Sequence, residues 1–394
     1  MVLRGGARQL CDAHASDGVL SLMCYSAGGG RMQYRFSEGA SVDPAAEARC
    51  VDAAALQDFT ARVFEGLGMP AGDAATEAEV LVWANLRGID SHGVQRVAAY
   101  SRAVDSGSMN PRPNIRVERE TVATVLMDAD RAFGPVVTVQ AMERVIAKSR
   151  EAGIGWGLIR NTTHQGAMAY YTQMAARAGL AGLAVVCSPP NMAPPGAKQA
   201  GTHNSPIAVA VPGSRRPAIS LDMATSVAAG GKLDVARDKG VAIPEEWALD
   251  AEGRPTTDPA QSAFLRPAAG YKGYGLALIF ECLSSLMAGN PLLATTISGR
   301  DAPRRATQNS FVAAIDIAAF TDVEAFKRDV DRLADAMNGL ATVDGAPPIL
   351  VPGQPEEQVL AERTAGGIPL PPGTVAKLRV AAERFGLDLP PALR

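Results

Sequence analysis

Cysteine is scarce and unpatterned: five residues, Cys11, Cys24, Cys50, Cys187 and Cys282, an odd number with no CxxC pair. That spacing excludes a disulfide framework and a structural zinc site, and it points to a reducing compartment. No apolar run approaches the roughly 18–20 residues that a membrane helix needs. The nearest approach to a secretory leader, residues 19–27 behind Arg4 and Arg8, is reached only across Asp12 and Asp17, so a cytoplasmic protein is expected. Neither sign of charge prevails. With 38 basic against 41 acidic side chains, nothing favours a nucleic-acid or membrane surface. Histidine is rare as well: of His14, His92, His164 and His203 no two stand at i,i+3 or i,i+4, and HExxH does not occur, so no catalytic metal is expected. Gly153-Ile-Gly-Trp-Gly157 follows a helical stretch instead of opening one and is not GxGxxG. The dinucleotide fingerprint is therefore missing too.

What is present is an ordinary globular composition, 47% apolar and 20% charged over 394 residues, enough for about two or three domains. Residues 1–48 lack periodicity and read as an extension outside the folded unit. Residues 49–115 read as a helical domain. Asp52 is placed as an N-cap, and Leu56, Phe59, Val63 and Leu67 follow at helical spacing. Further helices are expected over 73–87 and 94–106, before Pro111 and Pro113 break the chain.

Residues 116–305 alternate between the two periods, which argues for an α/β unit. Strands are expected at 121–127, 154–159, 181–187, 207–211 and 218–222, and helices at 136–152, 167–178, 225–239 and 272–288. The Pro/Gly-rich stretch 188–205 is a loop of a length that usually serves function. Residues 306–394 supply a strand at 311–317 and helices at 323–340 and 374–385, expected to pack back on the helical domain.

Five places could carry chemistry. His164, in Asn161-Thr-Thr-His-Gln-Gly166, stands at a strand-to-helix turn, where open α/β folds commonly bind ligands and where an imidazole can exchange a proton near neutral pH. Ser91, His92 and Gly93 break the chain between two helices, with Arg96 one turn on and able to offer a planar fork to a carboxylate. Asp222, Met223 and Ala224 end a strand; Asp222 is either an N-cap or an acceptor for ribose hydroxyls. Lys272, in the glycine-rich Tyr271-Lys-Gly-Tyr-Gly275, places a cation at a helix start. Gly353-Gln354-Pro355 is a turn opening a helix. His14 is read as incidental and His203 as a surface histidine.

Several motifs occur together and in order: Arg87-Gly-Ile-Asp-Ser-His-Gly93, the Asn-Thr-Thr-His-Gln-Gly turn, Leu221-Asp-Met-Ala224, Ile243-Pro-Glu-Glu-Trp-Ala-Leu-Asp250, Pro255-Thr-Thr-Asp-Pro259 and Tyr271-Lys-Gly-Tyr-Gly275. In these the chain resembles the type 2 malate/L-lactate dehydrogenase family, which includes ureidoglycolate, sulfolactate and 2,3-diketogulonate enzymes and cyclic-imine reductases. The likeness runs over about residues 52–390. It implies a mixed-sheet α/β fold with a flanking helical domain and no Rossmann unit, an NAD- or NADP-dependent dehydrogenase acting on CH–OH, and an intimate homodimer. Position by position it implies His164 as the catalytic histidine, with His92 in catalysis and Ser91 and Arg96 on the substrate. Ser188, Asp222, Met223, Ala224, Lys272, Gly353, Gln354 and Pro355 fall at cofactor-contacting positions. Departures from the family pattern, Gln165, Pro194-Pro-Gly-Ala197 and His203, cluster near the substrate loop.

The expectation is hydride transfer between nicotinamide and a small 2-hydroxy or 2-oxo acid of the malate, lactate or ureidoglycolate type, with His164 moving the proton. An NADPH-dependent reductase of a cyclic imine carboxylate, and a metabolite-binding descendant without activity, are the alternatives.

Overall fold

Stretches of period 3.6 and of period 2 alternate along the chain, and the computed structural model folds them as helices and strands in that sequence. It describes residues 23–25, 31–33, 49–292 and 307–394. Most of the expected extension, His14 and Cys11 included, lies outside those residues. Two short strands of it, β1 (Met23–Tyr25) and β2 (Arg31–Gln33), pair antiparallel with Met23 opposite Gln33. Of the described residues, 23–25, 31–33 and 340–349 fall in one compact unit, and 49–292, 307–339 and 350–394 in the other.

In the larger unit α1 (Ala53–Gly66) starts where the Asp52 carboxylate accepts the Ala55 amide at 2.8 Å. Leu56, Phe59, Val63 and Phe64 make its buried stripe. With α2 (Ala71–Leu86), α3 (Val97–Asp105), α10 (Pro372–Phe385) and the strand pair β3 (Arg49–Val51)–β14 (Ile368–Leu370), these side chains enclose a helical core that also contains Tyr100.

The second core surrounds a seven-stranded mixed sheet. Its strands are β4 (Arg116–Glu120), β5 (Thr124–Asp128), β6 (Ile154–Thr162), β7 (Ala181–Cys187), β8 (Ile207–Val211), β9 (Ile219–Met223) and β13 (Gln308–Ile315), in the order β4-β5-β6-β13-β7-β8-β9. Only β5 and β6 run parallel. β13 is central, with Val312 opposite Gly157 on one side and Ala184 on the other. Period-2 alternation splits the strands between two faces. Ile159, Ala184 and Val312 face α4 (Gly134–Ala152) and α5 (Ala169–Arg177). Leu158, Val185 and Phe311 face Phe280 of α7 (Tyr271–Glu281).

This is the mixed-sheet α/β architecture with a helical flank that was expected. Details differ. The helix expected from 225 begins only at Gly230, as α6 (Gly230–Lys239). The helix of 272–288 turns to π geometry over Cys282–Leu286. A small sheet of β10 (Ala248–Leu249), β11 (Pro255–Thr256) and β12 (Phe264–Leu265) organises the turn-rich segment. The chain closes with α8 (Val323–Asn338), then α9 (Gln354–Gly366) ahead of β14.

Candidate active site

β6 ends where Asn161 takes a left-handed backbone, φ 57°, a conformation that asparagine tolerates better than most residues. Its amide donates to Asn309 Oδ1 of β13 at 3.0 Å, and Thr163 Oγ1 donates to the Ala132 carbonyl at 2.9 Å. Both bonds aim the next residue, His164, off the sheet. The start of α4 presses against it: a Cβ on Gly134 would lie 2.4 Å from the His164 carbonyl oxygen, so only glycine fits there. Nδ1 of His164 is met by Tyr100 Oη at 2.6 Å and by the Gly166 amide at 3.2 Å.

The Ser-His-Gly elbow is two 3₁₀ turns, Asp90–His92 and Val94–Arg96. Asn85 of α2 holds it: Oδ1 accepts the Val94 amide at 2.8 Å and Nδ2 donates to Asp90 Oδ1 at 2.6 Å. Arg363 of α9 grips the same Asp90 with two bonds, 2.7 and 3.0 Å. A Cβ at Gly93 would fall 2.2 Å from Asn85 Oδ1, so this approach too requires glycine. The elbow delivers His92 onto His164, ring centroids 5.3 Å apart and planes 30° from parallel. Ser91 Oγ lies 2.9 Å from His92 Nδ1. Arg96 Nε donates to the Ser91 carbonyl at 2.6 Å, and among the described residues no hydrogen-bond partner takes its two Nη atoms. The guanidinium therefore keeps its end-on fork for a carboxylate.

Burial, then the Arg96 charge, pushes His92 down to about 4. Burial first, then His92, Arg96 and His203, holds His164 well below the ordinary imidazole range. His203 belongs to this group. The expectation of a surface histidine is corrected: the residue is half-buried, burial pushes it to about 3, and its charge bears on His164. Sequence reasoning also passed over Tyr100, whose place on an apolar helix face reads as core.

Most of the remaining candidates lie on β9 or on segments bonded to it. Asp222, near the end of β9, accepts the Ala169 amide at 2.8 Å and so caps α5, the helix that follows His164. Crowding by the surrounding chain pushes its carboxyl up to about 6, although the residue keeps an exposed edge. Past Met223 and Ala224, Thr225 accepts the Ala268 amide at 2.8 Å, which fixes the glycine-rich entry to α7 and the exposed Lys272. Position 231, at the start of α6, passes so near the elbow that a Cβ there would sit 3.7 Å from Ser91 Cβ. The Gly353 turn joins from β9: the Ser220 amide donates to the Pro352 carbonyl at 3.1 Å. Gln354 spends its Oε1 on the Val351 amide and on Asn338 Nδ2, at 2.8 and 2.9 Å, while Pro355 enters the first turn of α9. His164, His92, Ser91 and Arg96 thus converge directly, while Asp222 is tied to the helix after His164, and the Lys272 and Gly353 segments are bonded to β9 and the residues that follow it.

Residues 51–379 match the family model described as malate/L-lactate dehydrogenase. L-sulfolactate dehydrogenase of Methanocaldococcus jannaschii is 36% identical over 330 residues, covering 83% of this chain and 94% of that protein. The chain belongs to the malate/L-lactate dehydrogenase family. It is accordingly an oxidoreductase acting on CH–OH. Ureidoglycolate dehydrogenase (NAD(+)) of Escherichia coli K12 is 36% identical over 293 residues, covering 74% of this chain and 83% of its own. The solved M. jannaschii sulfolactate dehydrogenase superposes with a TM-score of 0.78 at 35% identity, covering 86% of this chain and 98% of that one. Δ1-piperideine-2-carboxylate reductase of Pseudomonas syringae does so with 0.74 at 26%, covering 84% and 99%.

In this member of the malate/L-lactate dehydrogenase family, Ser188 Oγ, Ser220 Oγ and Thr225 Oγ1 are buried and have no hydrogen-bond partner among the described residues, a costly state unless another molecule supplies one. They lie at the end of β7, on β9 and just beyond it. The donor set fits a nucleotide cofactor. Among the described residues no group of three or more His, Cys, Asp or Glu is placed to hold a metal ion, and no helix is long and apolar enough to cross a membrane.

Proposed function

We propose that the protein is an NAD(P)-dependent dehydrogenase that interconverts a small 2-hydroxy acid and its 2-oxo acid, of the malate, lactate or ureidoglycolate type. The observation that carries this reading is the stacked His92–His164 pair at 5.3 Å with the Arg96 fork beside it. A 2-hydroxy acid has two handles one bond apart, a carboxylate and a hydroxyl, and these groups match both. When bound, the nicotinamide supplies or accepts the hydride. Arg96 binds the carboxylate end-on through its Nη atoms and so fixes which face of the adjacent carbon is presented. His164 exchanges the proton of the hydroxyl oxygen, and His92, steadied by Ser91, hydrogen-bonds the same oxygen. Ser188, Thr225, Asp222-Met223-Ala224, Lys272 and the Gly353-Gln354-Pro355 turn hold the cofactor. Lys272, a compact cation at a helix start, suits its phosphates.

The reading includes a homodimer. Tyr271, Leu276 and Ile279 of α7 and Met287 beyond it are 73, 45, 54 and 55% exposed, an apolar face of the kind that a partner covers. It also includes a cytoplasmic location, in keeping with the free thiols of Cys50, Cys187 and Cys282.

The test is a screen of NADH and NADPH oxidation with oxaloacetate, pyruvate, oxalurate, sulfopyruvate, 2,3-diketogulonate and Δ1-piperideine-2-carboxylate. Turnover of a 2-oxo acid supports the proposal. Turnover of the cyclic imine alone would select the second reading, favoured by the likeness to the P. syringae reductase. No absorbance change with any of them would leave a metabolite-binding protein.

A further inference from the structure

Resting on that reading, we infer that Tyr100 is a positioning residue which, with the Gly166 amide, holds His164 in the tautomer protonated at Nε2, so that the site waits as a proton donor set for reduction of a 2-oxo acid.

The argument starts from one atom. Nδ1 of His164 has two hydrogen-bond neighbours, the Gly166 amide at 3.2 Å and Tyr100 Oη at 2.6 Å. A backbone amide can only donate, so Nδ1 accepts and carries no proton. Tyr100 then has no N–H to receive from and must donate as well. Burial first, then the neighbouring Glu77, raises this phenol strongly, so it keeps the proton that it donates. A neutral imidazole carries one N–H, which is left to Nε2. The ring is neutral because the groups facing it supply no anion. His92 and Arg96 come from the elbow, His203 from the loop after β7, and Tyr100 from α3. Glu77, on α2, bears on Tyr100, and complete burial raises its own carboxyl well above the ordinary range.

The consequence is directional. In reduction the Nε2–H bond breaks and its proton passes to the carbonyl oxygen as the carbonyl carbon takes the hydride. Tyr100 keeps its proton throughout, and the negative charge left on the ring is met at Nδ1 by its two donors, the Tyr100 hydroxyl and the Gly166 amide, with the Arg96 charge nearby. Once product leaves, solvent water reprotonates Nε2. Oxidation needs the opposite start, a bare Nε2 with Nδ1 protonated against two donors.

The experiment uses full-length protein with ¹⁵N-labelled histidine and no ligand. Its four histidines are assigned with His14→Asn, His92→Asn and His203→Asn variants. In long-range ¹⁵N–¹H correlation spectra at pH 7.5, His164 is expected to show a protonated Nε2 and a bare Nδ1. Tyr100→Phe is expected to populate the other tautomer and to lower kcat for reduction about 10- to 100-fold, with KM for the oxo acid within about twofold. A protonated Nδ1 or an imidazolium in the unmutated protein overturns the inference. So does a Tyr100→Phe protein with an unchanged tautomer, whatever its kcat. Should that variant not fold, the unmutated spectrum alone decides. The expected tautomer with no turnover of any oxo acid would overturn the dehydrogenase reading, and with it the donor role, by a result distinct from failure of the tautomer.

Discussion

The imidazoles of His92 and His164 lie face to face, 5.3 Å between centroids, with the Arg96 charge acting on both. Burial first, and then the fixed cation beside them, holds both rings neutral at physiological pH. In the unfolded chain each would take up a proton near pH 6.5. Their folded values are depressed, His92 to about 4, so between those limits the unfolded state binds protons that the folded state refuses. The stability they contribute is present above pH 6.5 and is lost as pH falls toward 4. Urea midpoints are expected to drop across that window, and His92→Asn to flatten the profile. A wild-type midpoint constant from pH 7 to 4.5 would contradict the account.

Removing the imidazole proposed to move the proton should leave the scaffold in place. His164→Ala is expected to lose turnover about 10²–10⁴-fold while its melting temperature stays within a few degrees of the parent. Near-normal turnover would take His164 out of the role.

Arg96 offers two Nη donors in a plane, and lysine has one ammonium that cannot reproduce the fork. Arg96→Lys is expected to lower kcat/KM about 10- to 100-fold, the size of a charge-assisted bond worth about 1.5–3 kcal/mol. Steady-state kinetics on the substrate found by the screen measures this. An unchanged kcat/KM would place the substrate carboxylate elsewhere.

The elbow depends on the absence of a side chain at position 93. Gly93→Ala drives a methyl to within 2.2 Å of Asn85 Oδ1, which is pinned by the Val94 amide and cannot swing away freely. A loss of about 1–3 kcal/mol in stability is expected, together with reduced kcat as His92 shifts off His164. Chemical denaturation and kinetics on one preparation test both.

Glu77 is wholly buried, and among the described residues neither of its oxygens has a hydrogen-bond partner. Burial raises its pKa well above 4.5, so the folded state retains a proton that the unfolded chain releases as pH rises. Wild-type stability should therefore decline upward from about pH 4.5, the usual carboxyl value. Glu77→Met is expected to remove that decline and to be the more stable protein at pH 8. A variant less stable than wild type at pH 8 would mean that the carboxylate has a stabilising role.

Much of this was legible along the chain. Asp52 and Pro135 mark helix starts, and Gly153 and Gly179 mark helix ends, through local backbone chemistry. The His164 turn and the Ser-His-Gly break were readable because each interrupts a strong period. β4 was not read: all five of its residues are exposed and three of the first four are Arg116, Glu118 and Arg119, so this edge strand shows no alternation. The start of α6 was placed early: Thr225 and Ser226, read as the opening of the helix, instead bridge to the entry of α7. His203, polar and set among prolines and glycines, reads as surface; its loop folds inward.

The sequence by itself determined the element types, the family and the identity of the candidate side chains, because capping, period and motif are properties of neighbouring residues. Only the tertiary structure decided that β13 inserts between β6 and β7, that Tyr100 of α3 reaches His164 64 residues away, and that Asp222 caps a helix 53 residues before it. Those contacts follow from burying two cores at once, and no short stretch of chain encodes them.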